Sequence, residues 1–220
     1  MARDRVKYKK VRPPDPHSVV APWRLFIAIP MPPEAVALIE DLVGTLSTEN
    51  WPVRWVAPDT AHITLHFLGD TEPERAELLR LALGPTIAEH PTFTLQTSEL
   101  GAFPNEDRPR VIWLGLRGQT RELSRLHRDL ADQLTELEFP VEERRLTPHI
   151  TLGRLRLPPS PELAASIRRR LASPALQDRL ASAPVTIPVK DVLLVRSFLE
   201  RTGARHQPIA RYPPATTERT

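Results

Sequence analysis

The sequence predicts an α+β protein with antiparallel sheets, and three observations carry that expectation. Strand-like and helix-like segments are interspersed along the 220 residues. Several of the strand-like segments follow one another with no room for the crossover helix that parallel pairing needs. None of the eight glycines falls in a GxGxxG or GxxxxGK[ST] phosphate loop, so a doubly wound nucleotide-binding fold has no sequence footing.

The elements follow in order. WRLFIAI (Trp23–Ile29) is β-like and stops at Pro30. Pro32 and Pro33 then suit a helix start, and Val36, Ile39, Leu42, Val43 and Leu46 recur at helical spacing. AHITLHFLG (Ala61–Gly69) alternates as a strand, and Glu74 to about Glu89 reads as a helix broken at Gly84-Pro85. Phe93–Leu100 and Arg110–Leu116 are two strands joined by a turn-rich stretch, GAFPNEDRP. Gln119–Leu137 is the clearest amphipathic helix, with Leu123, Leu126, Leu130, Leu134 and Leu137 as its apolar stripe. Pro148–Leu157 is again a strand, Pro161–Ala172 a helix, and Val185–Leu199 one or two strands. The expected organisation is an extended basic, proline-rich leader over 1–22, one bilobal domain over 23–213 and a tail over 214–220.

Composition narrows the chemistry. With no cysteine, disulfides, thiol nucleophiles and cysteine-ligated metal centres are excluded. No apolar run reaches 18 residues and the charged N-terminus lacks a secretory signal, so a cytoplasmic protein without a membrane span is expected. The net charge of +3 is misleading. Residues 1–12 hold six basic side chains against Asp4, which leaves a net of −2 for the other 208 residues. The body is therefore not a basic nucleic-acid binder by charge alone. The leader reads either as a solvated end or as a salt-sensitive phosphate-contacting arm.

HITL occurs twice, at His62–Leu65 and at His149–Leu152, and each copy sits in strand-like alternation. Period two sends His62 and Thr64 to one face and Ile63 and Leu65 to the other; His149 and Thr151 are displayed in the same way. If the two halves of the chain form lobes related by an approximate twofold axis, the two His-Thr faces meet across one cleft. One imidazole can then remove a proton while the other donates one, and the threonine hydroxyls can bind phosphate oxygens. That arrangement predicts phosphodiester opening with neither metal nor cofactor. His62 and His66 are spaced for metal ligation on a helix, but their segment is patterned as a strand, and His66 is expected to be an exposed strand residue. His17, His90, His127 and His206 have no supporting pattern.

WVAPDTAHITLHFLGD and RRLTPHITLGRLR resemble the paired signature segments of the 2H phosphoesterases, in particular the bacterial and archaeal RNA 2′,3′-cyclic phosphodiesterases, also called 2′-5′ RNA ligases. RLFIAIPMPPE resembles that family's opening strand, LGAFPNEDRPRVIWLGL its mid-chain hairpin, and VLLVRSFLERTGARHQPIARYP its closing strands. The resemblance implies a two-lobed fold with pseudo-twofold antiparallel sheets around a central cleft. It implies hydrolysis of an RNA-terminal 2′,3′-cyclic phosphate to a 2′-phosphate, with weak reverse 2′-5′ joining in some members. By the same resemblance, His62 is the proton donor and His149 the acceptor. Arg154 matches a basic position near the phosphate, although strict alternation from His149 puts it on the opposite face. Phe26 and Trp55 are candidates to stack a nucleobase. Leu146 replaces a usual aromatic and His206 a usual tyrosine, and neither is expected to touch the HxTx groups. The expected partners are RNA 3′ ends bearing the cyclic phosphate, or nucleotides, met by a monomer. Two alternatives stand beside this reading: the same chemistry on small cyclic nucleotides or 2′-5′ oligonucleotides, and a non-catalytic RNA-end-binding module.

Overall fold

The computed structural model describes residues 21–141, 146–200 and 203–214; residues 1–20 of the expected leader and 215–220 of the tail lie outside them. Nine strands and five helices follow in chain order among the described residues. They are β1 (Trp23–Pro30), α1 (Pro33–Ser47), β2 (Val53–Trp55), β3 (His62–Thr71), α2 (Pro73–Ala88), β4 (Phe93–Phe103), β5 (Val111–Gly118), α3 (Thr120–Glu136), β6 (His149–Leu155), α4 (Pro161–Leu171), α5 (Pro174–Ser182), β7 (Thr186–Val189), β8 (Val192–Glu200) and β9 (Gly203–Tyr212). One sheet runs β3-β1-β8-β9 and the other β2-β6-β5-β4-β7. Every strand pair is antiparallel. The fold class is as expected.

The lobes, however, are not the two halves of the chain. β8 and β9 return to the first sheet, while β2 leaves the first half to edge the second sheet. β2, α5 and β9 carry no clear periodic signal: β2 has three residues, and β9 is interrupted by Pro208. The helix expected to break at Gly84-Pro85 does not; α2 runs through Pro85. The carbonyl that Pro85 leaves without its usual partner is that of Leu81, whose side chain is 63% exposed, on the side of the helix where water can take the bond.

Apolar faces hold the layers together. Leu123, Leu126, Leu130 and Leu134 of α3 are fully buried, as are Ile39, Leu42 and Leu46 of α1, and both stripes were legible as helical spacing. On β1, Leu25, Ile27 and Ile29 join this main core. Phe26 and Ala28 point the other way and form a small separate cluster with Leu193 and Val195 of β8. That second face of the sheet floors the site.

Two edges face each other because of strand order. β3 is an edge strand of its sheet. β2 covers β6 only over Gly153–Leu155, so His149 and Thr151 lie on an uncovered stretch of β6. β3 and β6 come into contact there, which brings the two HITL segments together.

Candidate active site

Both motif histidines are anchored in the same way. The Nδ1–H of His62 donates to the carbonyl of Thr60 at 2.8 Å, and that of His149 donates to the carbonyl of Thr147 at 2.7 Å. Each bond spans two residues and fixes the tautomer with the proton on Nδ1, so Nε2 of each ring is the nitrogen able to accept a proton. Each imidazole also rests on a phenylalanine: His62 stacks on Phe26 at 4.8 Å between centroids, and His149 meets the edge of Phe103 at 4.8 Å. Thr64 and Thr151 share the cleft with His62.

Strict alternation fails just after each motif, at the same place. On β3 the register against β1 slips by one residue, so Ala28 faces Thr64 and Ile27 faces His66, with Leu65 as the extra residue. This β-bulge sends His66 to the face of Ile27 and brings Phe67 back to the cleft. On β6 the slip lies between Gly153 and Thr151, with Leu152 as the extra residue, and it brings Arg154 back to the cleft. Gly153 is required there, because a Cβ would lie 2.5 Å from Val53 Cγ1 and 2.7 Å from Trp55 Cε3. The fifth residue after each histidine therefore lines the cleft: Phe67 in one lobe and Arg154 in the other.

The expectation for His66 is corrected by this geometry. It is buried, 4% exposed, donates from Nε2 to the His127 carbonyl at 2.8 Å and stacks on the His127 ring at 4.1 Å. His62 and His66 thus point to opposite faces of β3. The expectation for His206 is corrected as well. Its ring lies 5.2 Å from that of His62 and 5.0 Å from Phe26, and it shares the Thr60 carbonyl. Its place on β9 opposite Ser197 and β8 could not be read without the pairing of β8 to β1. Phe26 lines the cleft but is only 4% exposed, with His62 stacked on it; the ring offered to an occupant is Phe67, 49% exposed. Trp55 packs over Gly153 at the cleft wall.

The cleft has two wings that share Thr64, Phe67 and Arg154. The wing of His62, about 490 Å³, is also lined by Arg24, Arg54, Arg205 and His206. The wing of His149, about 570 Å³, is lined by Phe103, Arg110, His127 and Leu146. Each has the size of a small-molecule pocket. Among the described residues the His62 wing carries four arginines, Arg154 included, against one carboxylate, Asp59. The near-neutral body therefore conceals a basic cleft.

Two of those arginines stand side by side. Arg54 of β2 pairs in register with Arg154 of β6, and neither makes an ion pair among the described residues. Like charges directly opposite destabilise a sheet, so this pairing calls for an anion. Burial and the charge of Arg54 both lower the Arg154 pKa. Both imidazoles are pushed toward the neutral form. Burial, and after it the charges of His206, Arg154 and His149, bring His62 down to about 4 against the pull of the Thr60 carbonyl. Burial and Arg154 also lower His149.

The profile of the 2′-5′ RNA ligase superfamily matches residues 31–197. The chain belongs to that superfamily. Among its relatives in the superfamily is the RNA 2′,3′-cyclic phosphodiesterase of Aeropyrum pernix, 29% identical over 84% of this chain and 99% of its own. The enzyme of that name from Geobacillus stearothermophilus is 31% identical over 86% of this chain, which spans only 56% of that protein. Superfamily structures superpose on nearly the whole chain. TT0787 of Thermus thermophilus gives a TM-score of 0.69 at 27% identity, covering 89% of this chain and all of the other. Escherichia coli LigT, solved in complex with 3′-AMP, gives 0.63 at 27% identity, covering 90% of this chain and 99% of that one.

Proposed function

We propose that this enzyme hydrolyses the 2′,3′-cyclic phosphate at an RNA 3′ end to a 2′-phosphomonoester, using only side chains of its own chain. The observation that carries the reading is the duplicated Nδ1 anchor, which aims two Nε2 atoms into one cleft beside Arg154. The relatives named as RNA 2′,3′-cyclic phosphodiesterases support the substrate class.

In this mechanism neutral His149 accepts a proton from a water molecule, whose oxygen attacks phosphorus in line with O3′. The P–O3′ bond breaks, and O3′ takes the proton of His62 Nε2 while P–O2′ stays intact. His149 ends protonated and His62 neutral, and solvent exchange restores both. Thr64 and Thr151 hydroxyls donate to the non-bridging oxygens and Arg154 neutralises the charge that builds on them. With a pKa of about 4, His62 is neutral at pH 7 on its own, so its proton arrives with the substrate: an anionic phosphate beside it favours the imidazolium.

The His149 wing supports a second substrate for the same chemistry. A nucleoside 5′-oxygen lodged there would stand where the water stands, which fits cleavage or joining of 2′-5′ linkages. The deciding experiment is a short RNA ending in 2′,3′-cyclic phosphate, incubated in excess EDTA, with His62→Ala and His149→Ala beside the native protein. The expected product is the 2′-phosphate, with each variant slower by about 10²- to 10⁴-fold. Binding without turnover would replace this reading by that of an RNA-end-binding module.

A further inference from the structure

Beyond the cleft, at the free ends of β1, β8 and β9, lies a second cluster that the chemistry does not use. The Arg196 guanidinium sits 4.3 Å from the centre of the Trp23 ring and 4.6 Å from that of Phe198. Arg205 covers Phe198 at 4.1 Å. Trp23, Arg196 and Phe198 are all half-buried, so each keeps a solvent-facing side. Arg196 has two aromatic neighbours and, among the described residues, no carboxylate within ion-pair distance.

This cluster adjoins the His62 wing around the end of the sheet, through Arg205. Arg24, Ser197 and His206 form one row across β1, β8 and β9 and line the cleft; Trp23, Arg196 and Phe198 are their neighbours along β1 and β8, on the opposite face of the sheet. Arg205 belongs to both, lining the cleft and covering Phe198. We propose that the Trp23–Arg196–Phe198–Arg205 cluster is a binding track for the RNA strand 5′ to the reacting phosphate. Alternating flat rings and guanidinium groups suit single-stranded nucleic acid, where bases stack on aromatic faces and arginines meet phosphates without reading sequence. The direction follows from the chemistry, and in this the proposal rests on the function above. O3′ leaves toward His62, so the terminal nucleoside occupies the His62 side and the chain continues outward from there.

The test compares a ten-nucleotide RNA ending in 2′,3′-cyclic phosphate with the nucleoside 2′,3′-cyclic phosphate alone. RNA binding is read by fluorescence anisotropy and turnover is read on both substrates, for the native protein, Arg196→Gln and Phe198→Leu, with thermal unfolding confirming the fold. The native protein is expected to bind the RNA at least tenfold more tightly than the nucleoside. Each variant should weaken RNA binding about tenfold while turning over the nucleoside substrate within twofold of native. Loss of Arg196 should also shallow the log–log dependence of RNA binding on salt by about 0.7. Native-like RNA binding by both variants, or equal loss on RNA and nucleoside, would overturn the track. A protein that binds RNA through this surface but turns over neither substrate would keep the track and refute the proposed function, so the two failures are told apart.

Discussion

Replacing His206 by tyrosine should raise the pKa of His62 and, through it, the reaction rate on the acid side of the pH profile. After burial, the charge of His206 is the largest influence holding His62 at about 4. Two unit charges at the 5.2 Å ring separation repel by about 0.8 kcal/mol at the dielectric of water and by about 3 kcal/mol at an effective value near 20. At about 1.4 kcal/mol per pKa unit, removing the charge raises His62 by roughly 0.6 to 2. Tyrosine fills similar space against Phe26, so the gain does not come from opening the cleft to water. An NMR titration of the histidine ring protons reads the midpoint directly. A kcat/KM profile on a slow substrate, for which chemistry and not encounter limits, reads the consequence. Burial lowers His206 as well, so the repulsion acts only at acid pH, where both rings carry protons; kcat/KM should rise on the acid side of the profile and stay within about twofold at pH 7. A midpoint that rises while the acid side of the kcat/KM profile stays flat would remove His62 from the role of proton donor. A midpoint that does not move would refute the charge coupling itself.

Three further outcomes follow from the same geometry. His66, buried with a pKa of about 4 against an ordinary 6.5, leaves stability intact above pH 6.5 and drains it as pH falls toward 4, by roughly 3 kcal/mol. His66→Gln keeps a donor for the His127 carbonyl and should flatten that loss, as urea midpoints at pH 7 and pH 4.5 will show. Gly153→Ala forces a Cβ to within 2.5 Å of Val53 and should destabilise by roughly 1–3 kcal/mol in thermal melts, with activity lost as the bulge that aims Arg154 is displaced. Arg154→Ala should lower kcat/KM by about 10²- to 10³-fold with little change in melting temperature, because Arg154 has no ion-pair partner to lose among the described residues.

How far the sequence carried depends on what each feature needs. Helical stripes such as Leu123 to Leu134 are local, and period alone reveals them. The His-Thr faces of His62/Thr64 and His149/Thr151 were legible for the same reason, since alternation holds within each HITL. Alternation stops being a guide where a bulge inserts one residue, because the insertion is set by the partner strand: Leu65 against β1 and Leu152 against β5. Hence the expected exposure of His66 was wrong, and Arg154 reached the cleft against the strict pattern. His206 was missed for a different reason. It comes beside His62 through the β8–β9 hairpin and then the pairing of β8 with β1, which joins Ser197 to Arg24, residues more than a hundred apart that leave no periodic trace. The basic cleft was hidden by averaging, because Arg24, Arg54, Arg154 and Arg205 are dispersed in sequence and gathered only by strand order.

The same dispersal of charge bears on which histidine carries the proton, and it can be tested without catalysis. His62 and His149 share the positive field of Arg154, and both are pushed toward neutrality. A cyclic phosphate brings one negative charge, which offsets Arg154 and leaves the site able to hold one more proton. Proton uptake and phosphate binding are therefore linked, each strengthening the other. In the His149→Ala protein, which cannot activate water, His62 is the acceptor of that proton. Its affinity for a nucleoside 2′,3′-cyclic phosphate, whose charge is constant over this range, should rise close to tenfold for each pH unit between 7 and 5. Adding His62→Ala should flatten the dependence. Titration calorimetry in buffers of different ionisation enthalpy counts the proton as well, with close to one taken up per phosphate bound. A flat affinity in His149→Ala, or no proton uptake, would mean that His62 stays neutral with the phosphate in place, and the leaving O3′ would have to take its proton from another group.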